Sequence, residues 1–399
     1  MALLAAPSAS SFSPASGAAT RSTAASTSPR RPAWSPSPPA ASSSPTCRSA
    51  ATPDIELRTL RDGGQTALEI AEYAAGFLAK AEKSLDLALY DFDLEQETAK
   101  LVATALLEAQ SRGVEVRLAF NVDHDKPIPE PPPPHADPSL LDDLAVPTKR
   151  ILGVPDLMHH KYVVRDGADV WTGSTNWSDD SWSREENVIA VVHSNELAER
   201  YTEDFEQVWD TESVEKSGFV EPNPIRVGDA KVRAWFSPGH GEALATRIAH
   251  RIAKSRVRIR ICSPVMTSGP VLGALAEAVS DGKCDVAGVV DATQMKGVFH
   301  QWQLNGNSEW KMPAIRRIFA NGRFTGKNSM PYGQGDVHDF MHAKVVVADD
   351  YLFTGSYNLS HSGERNAENV LEVEDSALAD QLAVFVDEIH ALYPAAPIP

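Results

Sequence analysis

Residues 157–176 read LMHHKYVVRDGADVWTGSTN, and residues 340–358 read FMHAKVVVADDYLFTGSYN. Each carries His-x-Lys, an Asp five residues after the Lys, and then Gly-Ser-x-Asn, and the two histidines stand 183 positions apart. Asp166-Gly167 is a strong hairpin signal between two runs of strand-forming residues. With that pair as a two-residue turn, His159 falls opposite Ser174 and Lys161 opposite Thr172. Strand alternation then puts His159, Lys161, Ser174 and Asn176 on one face. The second copy places His342, Lys344, Ser356 and Asn358 in the same way, and its one-residue deletion falls in the turn. A histidine, an ammonium, a hydroxyl and an amide that converge with no carboxylate in the first rank suit an anionic phosphoryl group.

The stretches around the two copies repeat as well. TALEIAEYAAGFLAKAEK has helical spacing, SLDLALYDF alternates like a buried strand, ETAKLVATALLEAQSRG is a second helix with Gly113 at its C-cap, and VEVRLAFN is a second strand. Further on, EALATRIAHRIAKS, VRIRICSPV, PVLGALAEAVSDG and CDVAGVVDA give the same order. An internal repeat of about 180 residues is therefore expected, each unit leading into one histidine motif. The expected organisation is an N-terminal lobe over 54–215, a linker at 216–230 and a C-terminal lobe over 231–399. Two inserts break the symmetry: a Pro-rich stretch at 126–143, and residues 295–327 with Phe299, Trp302 and Trp310. Both read as surface loops or as a lid over a site.

Within the motifs, the Asp is too far from the Lys to join the cluster: five extended residues span roughly 16 Å. Asp166 and Asp349 are expected to brace turns, with Gly173 and Gly355 as structural members of the motif. A carboxylate that orients each histidine must come from elsewhere. The paired stretches REENVIAVV and NAENVLEVE offer Glu186 and Glu368 at matching positions.

Both copies match the HKD signature, and on these residues and the duplicated architecture the chain resembles the phospholipase D superfamily over residues 54 to 390. The resemblance implies an α/β fold of two similar lobes, mixed sheets flanked by helices, with one active site at their interface. It also implies metal-independent phosphodiester cleavage without a cofactor. One histidine attacks phosphorus to give a phosphohistidine, and the other protonates the leaving alcohol and then activates water. Both lysines, with Asn and Ser, hold the phosphoryl oxygens. Similarity to the family suggests His159 as nucleophile and His342 as acid, an assignment the sequence alone does not decide.

Composition narrows the substrate. The first 53 residues hold no Asp or Glu and are crowded with Ser, Ala and Pro, with four Arg as their only charge. That is a transit-peptide composition, pointing to a plastid first and a mitochondrion second, with an unaddressed disordered tail as the plainer alternative. Without those four arginines the 37 basic residues become 33 against 54 acidic ones, a balance of −21. Such a body repels polyanions, so nucleic acid is the less favoured substrate and a nuclease the runner-up. A phospholipid headgroup ester is the leading one, with peripheral membrane contact, because no apolar run approaches the length of a span. A silent scaffold is disfavoured by two intact motifs, and transfer to an alcohol stays open beside hydrolysis. No calcium-binding β-sandwich or inositide-binding module is expected before the lobes. Cys262 and Cys284 read as free core thiols, and HDFMH at 338–342 runs into a strand, which a helical zinc motif would not. Oligomeric state is not legible.

Overall fold

Strands β1 (Ile55–Leu60), β2 (Ser84–Leu89), β4 (Glu115–Val122), β5 (Thr148–Leu152), β6 (Lys161–Arg165), β7 (Asp169–Gly173) and β9 (Asn187–His193) form a seven-stranded sheet in the order β1-β9-β7-β6-β2-β4-β5. A minor ribbon pairs β3 (Phe92–Asp93) with β8 (Trp177–Ser178). Eight strands make the second sheet: β10 (Ile225–Val227), β11 (Ala230–Ser237), β12 (Arg258–Ser263), β13 (Asp285–Asp291), β14 (Arg323–Lys327), β15 (Val345–Ala348), β16 (Tyr351–Gly355) and β17 (Glu368–Glu374). Their order is β10-β11-β17-β16-β15-β12-β13-β14. Setting β10 aside, the two orders are the same, strand for strand, so the repeat read in the sequence is a repeat of topology. The computed structural model describes residues 53–122, 146–153, 155–306, 308, 310–331 and 337–398. The leader and the Pro-rich insert lie outside these.

Both sheets are mixed. β2, β4 and β5 run parallel, as do β12, β13 and β14, while the histidine hairpins β6–β7 and β15–β16 are antiparallel. The central strands are buried on both faces, β6 with every residue buried, which explains the unbroken apolar YVV and VVVA within them. Helices Ala67–Leu78 and Gln96–Ser111 close an outer core on the first sheet. Helices Asn195–Thr211 and Ser376–His390 contribute instead to a core that draws on both sheets, from Ile55 and Tyr162 to Val373 and Phe385. That shared core holds the lobes together, at about 25 cal/mol per Å² of apolar surface removed from water.

In the fold, the structure departs from the sequence reading at the hairpin register, the insert at 295–327 and the linker. The first hairpin pairs Val163 with Trp171 and Arg165 with Asp169, so its loop takes three residues, 166–168. Each Asp and Gly there adopts positive φ, 59° and 63°. The register is thus one residue off the expected one, and Lys161 falls in line with Gly173 in place of Thr172. In the second copy Val345 pairs with Thr354, which puts Lys344 in line with Gly355. The one-residue deletion is absorbed by the turn, as expected. Gly173 and Gly355 are required by crowding: a Cβ would lie 2.1 Å from the Val188 carbonyl oxygen in one and 2.0 Å from that of Asn369 in the other.

The insert at 295–327 is neither loop nor lid. Helices Ala292–Asn305 and Lys311–Asn321 and strand β14 occupy it, with Phe299 and Trp302 in the second lobe's outer core and Trp310 exposed. Part of the expected linker is likewise folded, since β10 pairs with β11.

Asp166 sits in the first turn. Its carboxylate accepts from the backbone N–H groups of Glu82, Lys83 and Ser84, at 2.6 to 3.1 Å, and so anchors the start of β2. Asp349, φ 55°, does the same for Arg256, Val257 and Arg258. Replacing Asp166 by Ala removes three charge-assisted acceptances and puts a methyl side chain at left-handed backbone, a loss of about 2–3 kcal/mol of stability. Denaturant unfolding of Asp166→Ala should show that loss with phosphodiester hydrolysis kept within about threefold of wild type. A collapse of hydrolysis at unchanged stability would place Asp166 in the chemistry instead.

Candidate active site

The two motifs meet where the sheets face one another. Met158 and Ala367 form a parallel bridge between lobes, and Glu186 and Met341 form its counterpart. His159 N–H donates to the Ala367 carbonyl at 2.8 Å. Both histidines line a cavity of about 490 Å³, together with Asn176 and Asn358. Lys161 and Lys344 are buried beneath, their ammonium groups donating to the carbonyls of His159 and His342 at 2.9 and 2.6 Å. Ser174 and Ser356 are fully buried and serve the site indirectly, through the groups that hold the histidines.

Each histidine is oriented by the opposite lobe. His159 Nδ1 lies 2.7 Å from Glu368 Oε2, which also accepts from Ser356 Oγ at 2.6 Å, while Asn366 donates to Glu368 Oε1 at 3.1 Å. His342 Nδ1 lies 3.1 Å from Asn187 Oδ1 and 3.3 Å from Glu185 Oε2. Asn187 Oδ1 accepts from Ser174 Oγ at 2.7 Å, and its Nδ2 donates to Glu185 at 3.1 Å. The structural partner of Glu368 is therefore Asn187, and that of Asn366 is Glu185: the two lobes hold the same Glu and Asn pair with the places exchanged.

Glu368 stands where the sequence predicted an orienting carboxylate, but Glu186 does not. Its side chain turns to Lys327 at 3.1 Å and to Tyr393, away from both histidines. The matching letters E-N-V misled because 13 residues separate Ser174 from Asn187 while 12 separate Ser356 from Glu368. One extra residue on leaving the short helix Asp179–Ser183 shifts the first copy. Glu185 and Asn187 were missed, although Glu-x-Asn against Asn-x-Glu was there to be seen. Tyr90 was missed too: its ring packs 4.6 Å from that of His159 and lies 4.7 Å from the Lys161 ammonium. His160 points the other way, buried 3.0 Å from Asp204.

Burial governs the electrostatics. It drives both histidines well below their ordinary range, helped in each case by the two lysine charges. It pushes Lys161 down to about 7, lowers Lys344 well below its usual value, and raises Glu185 and Glu368 to about 7. Lys161, Glu185 and Glu368 are thus brought to titrate close to neutral pH, while burial holds both histidine rings uncharged in the free protein. Among the described residues no three His, Cys, Asp or Glu side chains are grouped so as to hold a metal ion.

Comparison with known proteins gives the family and the fold. The chain matches the family model described as "Cardiolipin synthase, PLD-like domain" over residues 75–209 and 248–389. It is 26% identical to human mitochondrial cardiolipin hydrolase over 190 residues, 44% of this chain and 68% of that one. The corresponding Xenopus tropicalis protein is 29% identical over 33% of this chain and 57% of its own length. Phosphatidylserine synthase of Haemophilus influenzae Rd KW20 shares the fold at a TM-score of 0.59, with 13% identity, over 85% of this chain and 86% of that one.

Because burial and two lysines oppose a ring charge, both His159 and His342 should be neutral at pH 6 in the free protein, where an ordinary imidazole is largely protonated. Histidine-selective ¹⁵N NMR checks this. Titration of either ring at its ordinary value would contradict burial of the rings beside the two lysines.

Proposed function

The chain belongs to the phospholipase D superfamily, and on that premise we propose that it is a phosphoric diester hydrolase acting on a phospholipid headgroup ester without a metal ion. The observation that carries the reading is the cross-lobe pairing of His159 with Glu368 and of His342 with Asn187 and Glu185. With its Nδ1–H committed to Glu368, His159 presents the Nε2 lone pair to the cavity. It attacks phosphorus, and a P–N bond forms as the P–O bond to the headgroup breaks. His342, protonated in the complex because the phosphate anion favours the imidazolium, passes its Nε2 proton to the leaving oxygen. Water then gives a proton back to His342 and attacks phosphorus, releasing the phosphate monoester and restoring His159.

The asymmetry of the partners supports this division of roles. A phosphorylated His159 ring is a cation, and a direct carboxylate contact at 2.7 Å stabilises it better than an amide oxygen at 3.1 Å does for His342. His342 must gain and lose a proton in each cycle, which a less strongly anionic partner favours. Lys161 and Lys344 neutralise charge on the equatorial oxygens, and Asn176 and Asn358 add amide donors at the cavity wall. No described helix is long and apolar enough to cross a membrane, so contact with lipid through the cavity mouth is part of the proposal. For location, the acid-free leader supports an organelle. The relatives' names weigh toward the mitochondrion, and the plastid rests on leader composition alone.

His159→Ala and His342→Ala should each lower turnover of a phospholipid by at least about a hundredfold with the melting temperature kept, and excess chelator should leave the wild-type rate unchanged. Retained activity in either variant, or loss in chelator restored by a divalent ion, would overturn the two-histidine reading. Glu368→Gln and Glu186→Gln separate orientation from structure. The first should cut kcat about a hundredfold with little loss of stability. The second removes one of the two carboxylates at the buried Lys327 ammonium, leaving Asp62 at 3.2 Å, so it should lower the melting temperature and spare kcat. The reverse pattern would restore Glu186 as the orienting group.

A further inference from the structure

The two half-sites differ at a place that the exchange of Glu and Asn does not cover. In the first lobe Leu89, the last residue of β2, pairs with Lys161, and Tyr90 follows it. In the second lobe Cys262 pairs with Val345, which brings the next residue, Ser263, into line with Lys344, and Pro264 follows. Tyr90 and Pro264 therefore hold equivalent positions, and both line the cavity. Tyr90 N–H donates to the His160 carbonyl at 2.8 Å, and the Asp91 carbonyl accepts from Trp177 N–H at 3.1 Å. The backbone at Tyr90 is thereby tied to the histidine strand on one side and to the residue after Asn176 on the other. Pro264 has no N–H with which to repeat the first of these bonds.

Tyr90 is only 6% exposed, yet it belongs to none of the three apolar cores found among the described residues. Its ring is set against chemistry instead. The centroid lies 4.6 Å from that of the His159 ring, with the planes tilted by 59°, and 4.7 Å from Lys161 Nζ. An aromatic face attracts a cation within roughly 6 Å of its centroid, so His159 and Lys161 both stand in range.

In the free protein burial holds the His159 ring uncharged. Attack on phosphorus changes its charge. Nε2 gives its lone pair to the new P–N bond while Nδ1 keeps its proton on Glu368, so the ring becomes an N-phosphoryl imidazolium. The electron pair of the broken P–O bond leaves with the alcohol oxygen, which takes the His342 proton. The ring cation is thus absent in the ground state, partly formed in the transition state and complete in the intermediate. An attraction that grows in this order speeds the step. Pro264, with no π face, offers His342 no such support.

We infer that Tyr90 is a positioning residue that favours phosphorylation of His159 over His342, by presenting its aromatic face to the charge the ring gains as the P–N bond forms. This inference rests on the hydrolase reading and deepens it, and it does not depend on which lipid is cleaved.

Rapid-quench kinetics on the full chain, with bis(p-nitrophenyl) phosphate as probe, separates formation of the adduct from its breakdown, each followed by mass spectrometry. Tyr90→Leu should slow formation on His159 about tenfold and leave breakdown equal or faster, because the intermediate has lost its support. Tyr90→Phe keeps the face without the hydroxyl and should stay within about threefold of wild type in both steps. Mono-, di- and trifluorinated phenylalanines at position 90 keep the packing while draining the face of negative charge, so formation should slow stepwise along that series. Equal slowing of both steps in Tyr90→Leu, a Tyr90→Phe variant as slow as Tyr90→Leu, or a flat fluorine series would each overturn the inference and leave the two-histidine reading intact. A wild type that forms no adduct on His159 overturns both.

Discussion

Neither histidine takes its Nδ1 partner from its own lobe. His159 leans on Glu368, and His342 on Asn187 and Glu185, so the site exists only where the two hairpins are brought together. The parallel bridges at Met158–Ala367 and Glu186–Met341 fix the distance at which this exchange works, and the core shared between the sheets keeps it fixed. The displacement we propose needs a nucleophile and an acid on opposite sides of phosphorus, and a duplicated half-site with crossed supports would supply both.

The duplication is not a copy in every atom. Exchanging Glu and Asn between two equivalent positions gives one histidine a carboxylate at 2.7 Å and the other an amide oxygen, with the carboxylate one step further away. Burial then acts on both rings in the same direction, while the charge each can borrow differs. Two equivalent half-sites thereby become a nucleophile and a proton carrier in the mechanism we propose.

Much of this was legible before any coordinates. The repeated order of helices and strands is the topology found, and His159 and His342 line one cavity with Lys161 and Lys344 buried beneath them. What escaped was local register. Asp-Gly is a two-residue turn signal, yet the first hairpin takes three residues there, and the shared letters E-N-V hid a one-residue offset between Asn187 and Glu368. Side-chain period in a strand is two, so a slip of one changes which group faces the site. Residues 295–327 were misjudged for a different reason: their aromatic residues do bury, but as the inward faces of helices that build the second lobe's outer core.

The covalent intermediate is the most direct test. In the acid-deficient His342→Asn variant, attack on a diester with a good leaving group still proceeds while hydrolysis of the P–N bond stalls, so rapid quenching at alkaline pH should trap the intermediate. Mass spectrometry of the digested protein should find the phosphoryl adduct on His159 and on no other residue. An adduct on His342 in the wild type, or product formed with no adduct on either histidine, would contradict the assignment of nucleophile and acid to the two halves.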